Sequence, residues 1–409
     1  MATTFHEPVP VWLDCDPGHD DVFAILFAAH HPGIKLLGIS TVFGNAPLEK
    51  TTWNAASVLT AIAKHNDIPI YQGAATPLAR PLLRSNAEDI HGASGLDGTA
   101  LLPQPLVPAR NININGTSTT GTSTSDGVDA MLGAAAAALR KCKPGTAWVV
   151  ATGSMTNAAT LFQKCPDLVG HVKGLSIMGG AIGDGHTNAV YGIVDGKARV
   201  GNWTPWAEFN IIIDPEAAAF IFDTKELAAK TTILPLDVTH LVLARQDVQE
   251  LLLYGPDKAP LDEHKVESIE TAEQHRKGNT TLRTMLVELL MFFAKTYKDV
   301  FGIIEGPPLH DPLAVAAILT GTPWEIDFHE YDRERYDIKV IVEGTHEDAL
   351  HRGSQLGRTI ATLLPPGSEG VRIPRGLDIS RFWQVMEECV QRADEANAAL
   401  VAASETTTA

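Results

Sequence analysis

The stretch Val11-Trp-Leu-Asp-Cys-Asp-Pro-Gly-His-Asp-Asp21 predicts a buried strand that turns sharply into a helix. Residues 11–13 form an apolar run typical of a buried strand, and Pro17-Gly18 is typical of a turn. Residues 22–29 have the length and apolar content of a helix packed on a sheet. The turn itself carries four carboxylates, Asp14, Asp16, Asp20 and Asp21. Because like charges so close together repel one another, either a cation lies among them or some of them are protonated.

The four carboxylates favour a site for a hard divalent cation. One or two acids here would be explained as helix caps, since the helix dipole favours an anion at its start. Four clustered oxygen ligands instead suit Ca²⁺ or Mg²⁺. The site is not an EF-hand, because counting from Asp14 places His19 where glycine is needed and Ile25 where the bidentate glutamate belongs.

Strands and helices alternate along most of the chain, which predicts an α/β fold with a parallel, largely buried sheet. After residues 11–13, apolar strand-like runs follow near residues 34–42, 68–71, 147–152, 172–180 and 232–238. In an open sheet of this kind, ligands bind outside the carboxyl ends of the strands. The carboxylates that follow the first strand are therefore expected at the binding site.

The composition describes an acidic globular protein. The net charge is −17 and 44% of the residues are apolar, so a basic face for a phosphate backbone is not expected. No run of eighteen apolar residues and no secretory signal is visible, which predicts a cytoplasmic protein. The four cysteines are far apart and lack Cys-x-x-Cys spacing, so free thiols are expected rather than a disulfide framework or a zinc site.

Three segments depart from the regular pattern. Residues 103–126 are rich in Pro, Asn, Ser, Thr and Gly, a composition that predicts a disordered insertion. Residues 183–201 carry Gly, Asp, His and Asn without periodicity and are interpreted as a second insertion at the pocket mouth. Residues 401–409 are expected to be a flexible tail. We expect one domain, over residues 9–400.

Asp14-Cys-Asp-Pro-Gly-His-Asp-Asp21 resembles the Asp-x-Asp-Pro-Gly-x-Asp-Asp signature of the nucleoside hydrolases, the inosine-uridine preferring family. The resemblance extends from about residue 11 to about residue 397. It implies an open, mostly parallel central sheet flanked by helices, in a single domain. It also implies hydrolysis of the N-glycosidic bond of a uridine- or inosine-type ribonucleoside to free base and ribose, as in nucleoside salvage. The family further implies a homo-oligomer, either a dimer or a tetramer.

The same resemblance assigns roles to residues that would otherwise be explained structurally. Asn45 alone is an ordinary turn residue, His91 a surface histidine and Met178 a core residue. Residues 208–210 are predicted to be extended, with Glu208 and Asn210 on one side and Phe209 on the other. Asp311 alone is a helix cap ahead of Pro312. The resemblance implies substrate contacts from Asp20, Asn45, His91, Met178, Asn202, Glu208 and Asn210.

For the reaction, the resemblance implies a Ca²⁺ ion held by Asp16, Asp21, Asp311 and the Thr152 carbonyl. Asp16 is the expected general base for the attacking water, which suits an oxocarbenium-like transition state. His310 is the expected donor to the departing base. The resemblance further implies that Tyr297 flanks the base, whereas His240 is interpreted as structural.

Two other functions fit part of the pattern. A haloacid dehalogenase-type phosphohydrolase also begins with Asp-x-Asp after an apolar strand, but Gly18 and the Asp20-Asp21 pair do not fit that scheme. A non-catalytic protein that binds metal and ribose is the second alternative, although every candidate catalytic position holds a residue capable of chemistry.

Overall fold

The computed structural model describes residues 6–83, 88–106, 112–113, 124–194, 196–256 and 276–408. The strands are β1 Val9–Cys15, β2 Ile34–Thr41, β3 Ile70–Gln72, β4 Ile112–Asn113, β5 Trp148–Ala151, β6 Gly174–Met178, β7 Ile193–Val194, β8 Lys197–Ala198, β9 Thr231–Leu234, β10 Phe328–His329, β11 Tyr336–Val340, β12 Thr359–Leu363 and β13 Gly376–Leu377. The helices are α1 Asp21–His30, α2 Leu48–Ala61, α3 Glu88–His91, α4 Thr124–Arg140, α5 Thr156–Lys164, α6 Asp167–His171, α7 Phe209–Ile212, α8 Pro215–Asp223, α9 Lys225–Ala228, α10 Leu236–Thr239, α11 Gln246–Tyr254, α12 Thr281–Phe301, α13 Asp311–Ala317, α14 His346–His351 and α15 Ile379–Thr408.

The centre of the fold is a parallel sheet, as predicted. Among the described residues it has seven strands in the order β4-β3-β2-β1-β5-β6-β9, and every pairing between neighbours is parallel. The chain adds β2 to β4 on one side of β1 and then β5, β6 and β9 on the other side. The strand order therefore reverses between β1 and β5, and a ligand crevice is expected outside their carboxyl ends.

Both faces of the sheet are covered by apolar cores, which explains why β1 reads as a nearly continuous apolar run. Leu13 lies in the core that contains α1, α13 and α15, whereas Trp12 lies in the core formed with α4, α5 and α8. Trp12 also donates its indole N–H to Ser40 Oγ at 3.0 Å. This alternation of successive side chains anchors β1 from both sides and fixes the position of the acidic turn that follows it.

A buried ionic group joins α12 to the last helix, α15. Arg283 lies 2.8 Å from Glu387 and 2.6 Å from Asp394, and all three side chains are largely buried. Removing one partner from such a group leaves an uncompensated buried charge, which is strongly destabilising. The ionic group therefore fixes α12 against the body of the protein.

Several predicted details are wrong. The segment at Glu208 is not extended, because Glu208 caps α7 and residues 209–212 are helical. The strand predicted to continue to residue 238 ends at Leu234 and is followed by α10. His310, not Asp311, occupies the cap of α13. The tail predicted to be flexible from residue 401 is helical as far as Thr408.

Of the two predicted insertions, the structure describes nearly all of residues 183–201 but only part of residues 103–126. Most of residues 103–126 lies outside the described residues, although Ile112–Asn113 pairs with β3 as the edge strand β4. The segment 183–201 contains the two-stranded pair β7–β8.

All four cysteines are free thiols, as predicted. Within the described ranges, no helix has both the length and the apolar character needed to cross a membrane.

Candidate active site

A pocket opens at the carboxyl end of the sheet, where the strand order reverses. Its wall includes ten of the residues predicted from the sequence, namely Asp20, Asn45, His91, Thr152, Met178, Asn202, Glu208, Asn210, His310 and Asp311. Asp16 and Asp21 are not part of the wall and are fully buried. The structure thus brings together residues that are far apart along the chain, from Asp16 to Asp311.

Buried carboxylates form one end of the pocket. Oxygen atoms of Asp20, Asp21 and Asp311 lie within 4.8 Å of one another, a spacing suited to a single metal ion. Asp16 accepts a hydrogen bond from Asn45 N through Oδ2 at 2.8 Å, but its buried Oδ1 has no partner among the described residues. A buried carboxylate oxygen without a donor requires an explanation, and a bound cation supplies one.

Asp14 belongs to the framework beneath this cluster and not to the pocket wall. Its Oδ1 accepts hydrogen bonds from Ser40 Oγ at 2.5 Å and Asn157 Nδ2 at 2.8 Å. Asp21 is held by Gly18 N at 2.9 Å and Thr152 Oγ1 at 2.8 Å. These bonds orient the acidic turn after β1.

Burial raises the pKa of the clustered acids because it removes water from the charged form, and their mutual repulsion adds to this. The pKa of Asp20 is raised to about 7 and that of Asp21 to about 6. The pKa values of Asp16 and Asp311 are raised well above the ordinary range, first by burial and then by the neighbouring aspartates. The cluster is therefore electrostatically incomplete without protons or a cation.

Two glycines leave room for Asp16. A Cβ atom added at Gly153 would lie 2.6 Å from Asp16 Oδ1, and one added at Gly44 would overlap Asp16 Oδ2. Both contacts involve a buried side chain that cannot move away easily. The close backbone approach on both sides encloses the Asp16 carboxylate.

We expect Gly44→Ala to destabilise the protein by about 1–3 kcal/mol, since it overpacks a buried site. Gly133→Ala is the matched control: Gly133 lies inside α4, where an added Cβ would meet nothing within 4 Å. That control should stabilise the protein by about 0.5–1 kcal/mol. Urea unfolding measures both changes, and a Gly44→Ala protein as stable as the parent would contradict the described packing.

Amide and carboxylate side chains line the pocket next to the buried aspartates. Glu208 caps α7 and accepts hydrogen bonds from Asn210 N at 2.9 Å and Gly180 N at 2.8 Å. Asn210 Nδ2 donates to the Thr152 carbonyl at 2.8 Å, and Asn202 Oδ1 accepts from Phe209 N at 2.9 Å. Because the helix α7 begins at Phe209, directly after the cap Glu208, Phe209 also lines the pocket, contrary to the predicted alternation.

Histidine and aromatic rings form the opposite end. His310 lies between two hydroxyl groups, with Thr239 Oγ1 2.7 Å from Nδ1 and Tyr297 OH 2.7 Å from Nε2. Phe293 packs edge-on against Tyr297, with ring centroids 4.8 Å apart. Burial lowers the pKa of His310 well below its ordinary range, because it disfavours the charged form of the ring.

His240, interpreted from sequence as structural, lies directly behind this end of the pocket. Its ring centroid is 5.4 Å from that of His310, and its Nδ1 lies 2.7 Å from the carbonyl oxygen of Val190 in the segment 183–201. Asp237 on the same helix accepts from Ile182 N and Gly183 N at the start of that segment. The second predicted insertion therefore packs beside the pocket.

Sequence reasoning missed Thr239 and Phe293. Phe293 and Tyr297 are four residues apart on α12, a spacing that places both on one face of a helix and was available as a signal. Thr239 contacts His310 only because the end of α10 and the start of α13 are brought together in the fold. No local pattern indicates that contact.

Comparisons with known proteins agree on one family. The model of the family described as "Inosine-uridine preferring nucleoside hydrolase" matches residues 11–384. The uridine nucleosidase of Saccharomyces cerevisiae is 38% identical over 392 residues, covering 95% of this chain and 97% of that protein. The pyrimidine-specific ribonucleoside hydrolase RihA of Escherichia coli O7:K1 is 35% identical over 312 residues, covering 76% and 79%.

Solved structures show the same fold. The purine-preferring ribonucleoside hydrolase from Gardnerella vaginalis superimposes with a TM-score of 0.66 at 24% identity, covering 94% of this chain and 99% of that one. The plant nucleoside hydrolase PpNRh1 gives a TM-score of 0.65 at 24% identity, with the same coverage. The predicted fold class is confirmed.

Proposed function

This chain belongs to the inosine-uridine preferring nucleoside hydrolase family and is an N-ribohydrolase, and we propose that it hydrolyses uridine to uracil and ribose. The observation that carries the proposal is the two-ended pocket. Carboxylates and amides at one end suit the hydroxyl groups of a ribose, and aromatic and imidazole rings at the other suit a flat base. The uridine nucleosidase from yeast supports uridine as the substrate.

The sugar would be held by side chains that are already fixed by hydrogen bonds. The side chains of Asn45, Asn202 and Glu208 each bond to backbone groups, which limits their movement before the substrate binds. Such preorganisation lowers the entropic cost of positioning a substrate. Asp20 and Asn210 complete the proposed ribose contacts, and the main chain at Met178 faces the sugar in this proposal.

The residues present fit a calcium ion. The donor set consists of hard oxygen ligands, and Asp16 Oδ1 is buried without a partner among the described residues. Asp16, Asp21, Asp311 and the Thr152 carbonyl would hold Ca²⁺. When bound, the ion would offset the repulsion among the acids and lower the pKa of a water molecule.

In the proposed reaction, Asp16 takes a proton from the attacking water. The water oxygen forms a bond to C1′ of the ribose while the bond from C1′ to the base nitrogen breaks. The sugar develops positive charge, which the buried carboxylates stabilise. The base leaves with the electron pair of that bond, and in this proposal His310 exchanges the contact of its Nε2 with Tyr297 for a hydrogen bond donated to the departing base, while Thr239 continues to hold Nδ1.

The proposal is tested by incubating the calcium-loaded protein with uridine, inosine, cytidine and adenosine and measuring released base. Uracil release from uridine is the expected result. Intact nucleosides after long exposure would contradict the proposal, and tight binding without turnover would favour the non-catalytic alternative. Hydrolysis of an aryl phosphate instead would favour the phosphohydrolase alternative, which the family membership already opposes.

Calcium stabilisation should weaken as the pH falls. Burial raises the pKa of Asp21 to about 6 in the metal-free protein and raises that of Asp311 well above its ordinary range, so lowering the pH through the range around 6 leaves both of these proposed ligands protonated. Because calcium must displace those protons, its stabilising effect is present above this range and is lost as the pH falls through it. We expect the calcium-induced rise in Tm to be larger at pH 8 than at pH 6.

The comparison uses Tm with and without a fixed calcium concentration at each pH. Buried histidines away from the acids titrate equally in both samples and cancel in the difference. A calcium effect of the same size at both pH values would contradict the assignment of these carboxylates.

A homo-oligomer, dimer or tetramer, is also part of this proposal. Its support is the resemblance to the family. Light scattering coupled to size-exclusion chromatography measures the mass directly, and a monomer at assay concentration would contradict it.

A further inference from the structure

The short helix α10 contacts both the segment 183–201 and His310. Asp237 and His240 are three residues apart, a spacing that places both on one side of a helix, and both bond to that segment or to the residue just before it. Thr239 instead contacts His310, with its Oγ1 2.7 Å from Nδ1. The helix therefore connects the segment beside the pocket mouth to the base end of the pocket.

Contacts with other elements determine the orientation of α10. The helix is a single turn of four residues, which is too short to be stable alone, and it begins after Pro235, whose side chain cannot accept a capping hydrogen bond. Leu236 and Val238 pack into the apolar core. Asp237 and Thr239 are equally buried, so their polar groups need partners within the protein.

The Asp237 carboxylate joins α10 to both ends of a loop. Its Oδ2 accepts a hydrogen bond from Ile182 N at 2.8 Å, and its Oδ1 accepts one from Gly183 N at 2.9 Å. The hydroxyl group of Tyr191 also donates to Oδ1, and Thr187 Oγ1 donates to the backbone carbonyl of Asp237 at 2.5 Å. Because the carboxylate is fully buried, these bonds are not weakened by competition with water.

The ring of His310 depends on α10 during the proposed reaction. Of the two hydroxyl groups that contact it, Tyr297 bonds to Nε2 and Thr239 to Nδ1. When Nε2 turns to the departing base, the Tyr297 contact is given up and the Thr239 contact stays. A hydrogen bond weakens steeply when its donor is misaligned. The position of Thr239 therefore decides how well the ring is aimed at the base.

We propose that Asp237 is a positioning residue for His310, because it fixes α10 and so keeps Thr239 in place against the ring. The inference rests on the proposed nucleoside hydrolysis and deepens it. Asp237 does not line the pocket and is not one of the clustered acids suited to a metal ion. It acts on the reaction only through Thr239 and His310.

Asp237→Asn tests the proposal because it keeps the shape of the side chain. Each carboxylate oxygen accepts from a backbone N–H, so the amide NH₂ of asparagine faces a donor whichever way it turns. The loop and α10 should therefore separate. We expect kcat for uridine to fall about tenfold with little change in KM, since the lost alignment acts in the transition state. The calcium-induced rise in Tm should stay the same.

The same substitution in a His310→Ala protein separates positioning from a structural defect. If Asp237 acts through His310, Asp237→Asn should cause no further fall in kcat once that ring is absent, because residues that act as a unit are not additive. A defect in folding alone would lower kcat by the same factor in both backgrounds.

A milder variant and a matched control complete the series. Tyr191→Phe keeps both backbone bonds to Asp237 and should lower kcat about threefold, as expected for one lost hydrogen bond, in the parent but not in His310→Ala. It serves the same test if Asp237→Asn does not fold. Asp214→Asn is the control, because Asp214 is a fully buried carboxylate that accepts from two backbone N–H groups and does not line the pocket. Its kcat should equal that of the parent.

Nuclear magnetic resonance of protein labelled with ¹³C-histidine gives a measurement that does not need turnover. The ring signal of His310, assigned by its absence from His310→Ala, should shift in Asp237→Asn and stay in place in Asp214→Asn. An unshifted signal in Asp237→Asn, or an equal fall in kcat in the parent and His310→Ala backgrounds, would overturn the inference. If none of the proteins cleaves any nucleoside, the proposed function fails, while the ring signal still decides whether Asp237 positions His310.

Discussion

Replacing Asp16 with asparagine should reduce kcat by about 10²–10⁴-fold, the usual contribution of a positioned general base. Asparagine has nearly the same shape and can keep the hydrogen bond from Asn45 N, but it cannot take a proton from water. The measurement is steady-state uridine hydrolysis at saturating calcium. The reduction should appear in kcat more than in KM, because the lost interaction acts in the transition state.

The stability of the Asp16→Asn protein separates a chemical defect from a folding defect. Burial and the neighbouring aspartates raise the pKa of Asp16, so a neutral side chain there relieves repulsion in the metal-free protein. Its metal-free Tm should therefore equal or exceed that of the parent. Asp167→Asn is the control, because Asp167 is exposed and pairs with Arg140 away from the pocket. Full activity in Asp16→Asn would remove Asp16 from the mechanism.

Removing calcium with a chelator should abolish turnover, and adding calcium back should restore it. Calcium at a hundred times its dissociation constant should also stabilise the folded protein by about 2.7 kcal/mol. Asp311→Asn should lose both the activity and the stabilisation, since Asp311 is one of the clustered acids. Undiminished turnover after exhaustive chelation would contradict a role for the ion.

In the simplest alternative arrangement of the acids, Asp20 holds the calcium ion and Asp16 contacts the sugar. The side-chain oxygens of Asp20, and not those of Asp16, lie within 4.8 Å of both Asp21 and Asp311. If Asp20 binds the sugar, Asp20→Asn should raise KM and leave the calcium-induced rise in Tm nearly unchanged. If that variant loses calcium binding while Asp16→Asn keeps it, the two assignments are reversed.

The strand, turn and helix around the acidic residues were predictable because they depend on local patterns. Apolar runs of strand length and the Pro17-Gly18 turn determine β1 and α1 without reference to the rest of the chain. The parallel sheet followed from the alternation of strands and helices. The grouping of Asp311 with Asp16 and Asp21 was expected only from the family resemblance, since spacing along the chain contains no such information.

Other features depend on contacts between distant segments and had no local signal. Residues 209–212 form a helical turn that the Glu208 carboxylate caps, although the alternation of Glu208, Phe209 and Asn210 resembles that of a strand. The contacts of His310 with Thr239 and Tyr297 join three elements that meet only in the folded chain. The facing nitrogens of His19 and His91 likewise depend on a loop that returns to the turn.

The two ends of the pocket are built by different parts of the protein. The acids follow β1 or begin α1 and α13, whereas Phe293 and Tyr297 project from α12, which the Arg283 ionic group ties to α15. Substitutions on α12 can therefore alter the fit of the base without disturbing the groups that break the bond. A change of nucleoside preference can therefore begin with substitutions on this helix, which leave the clustered acids in place.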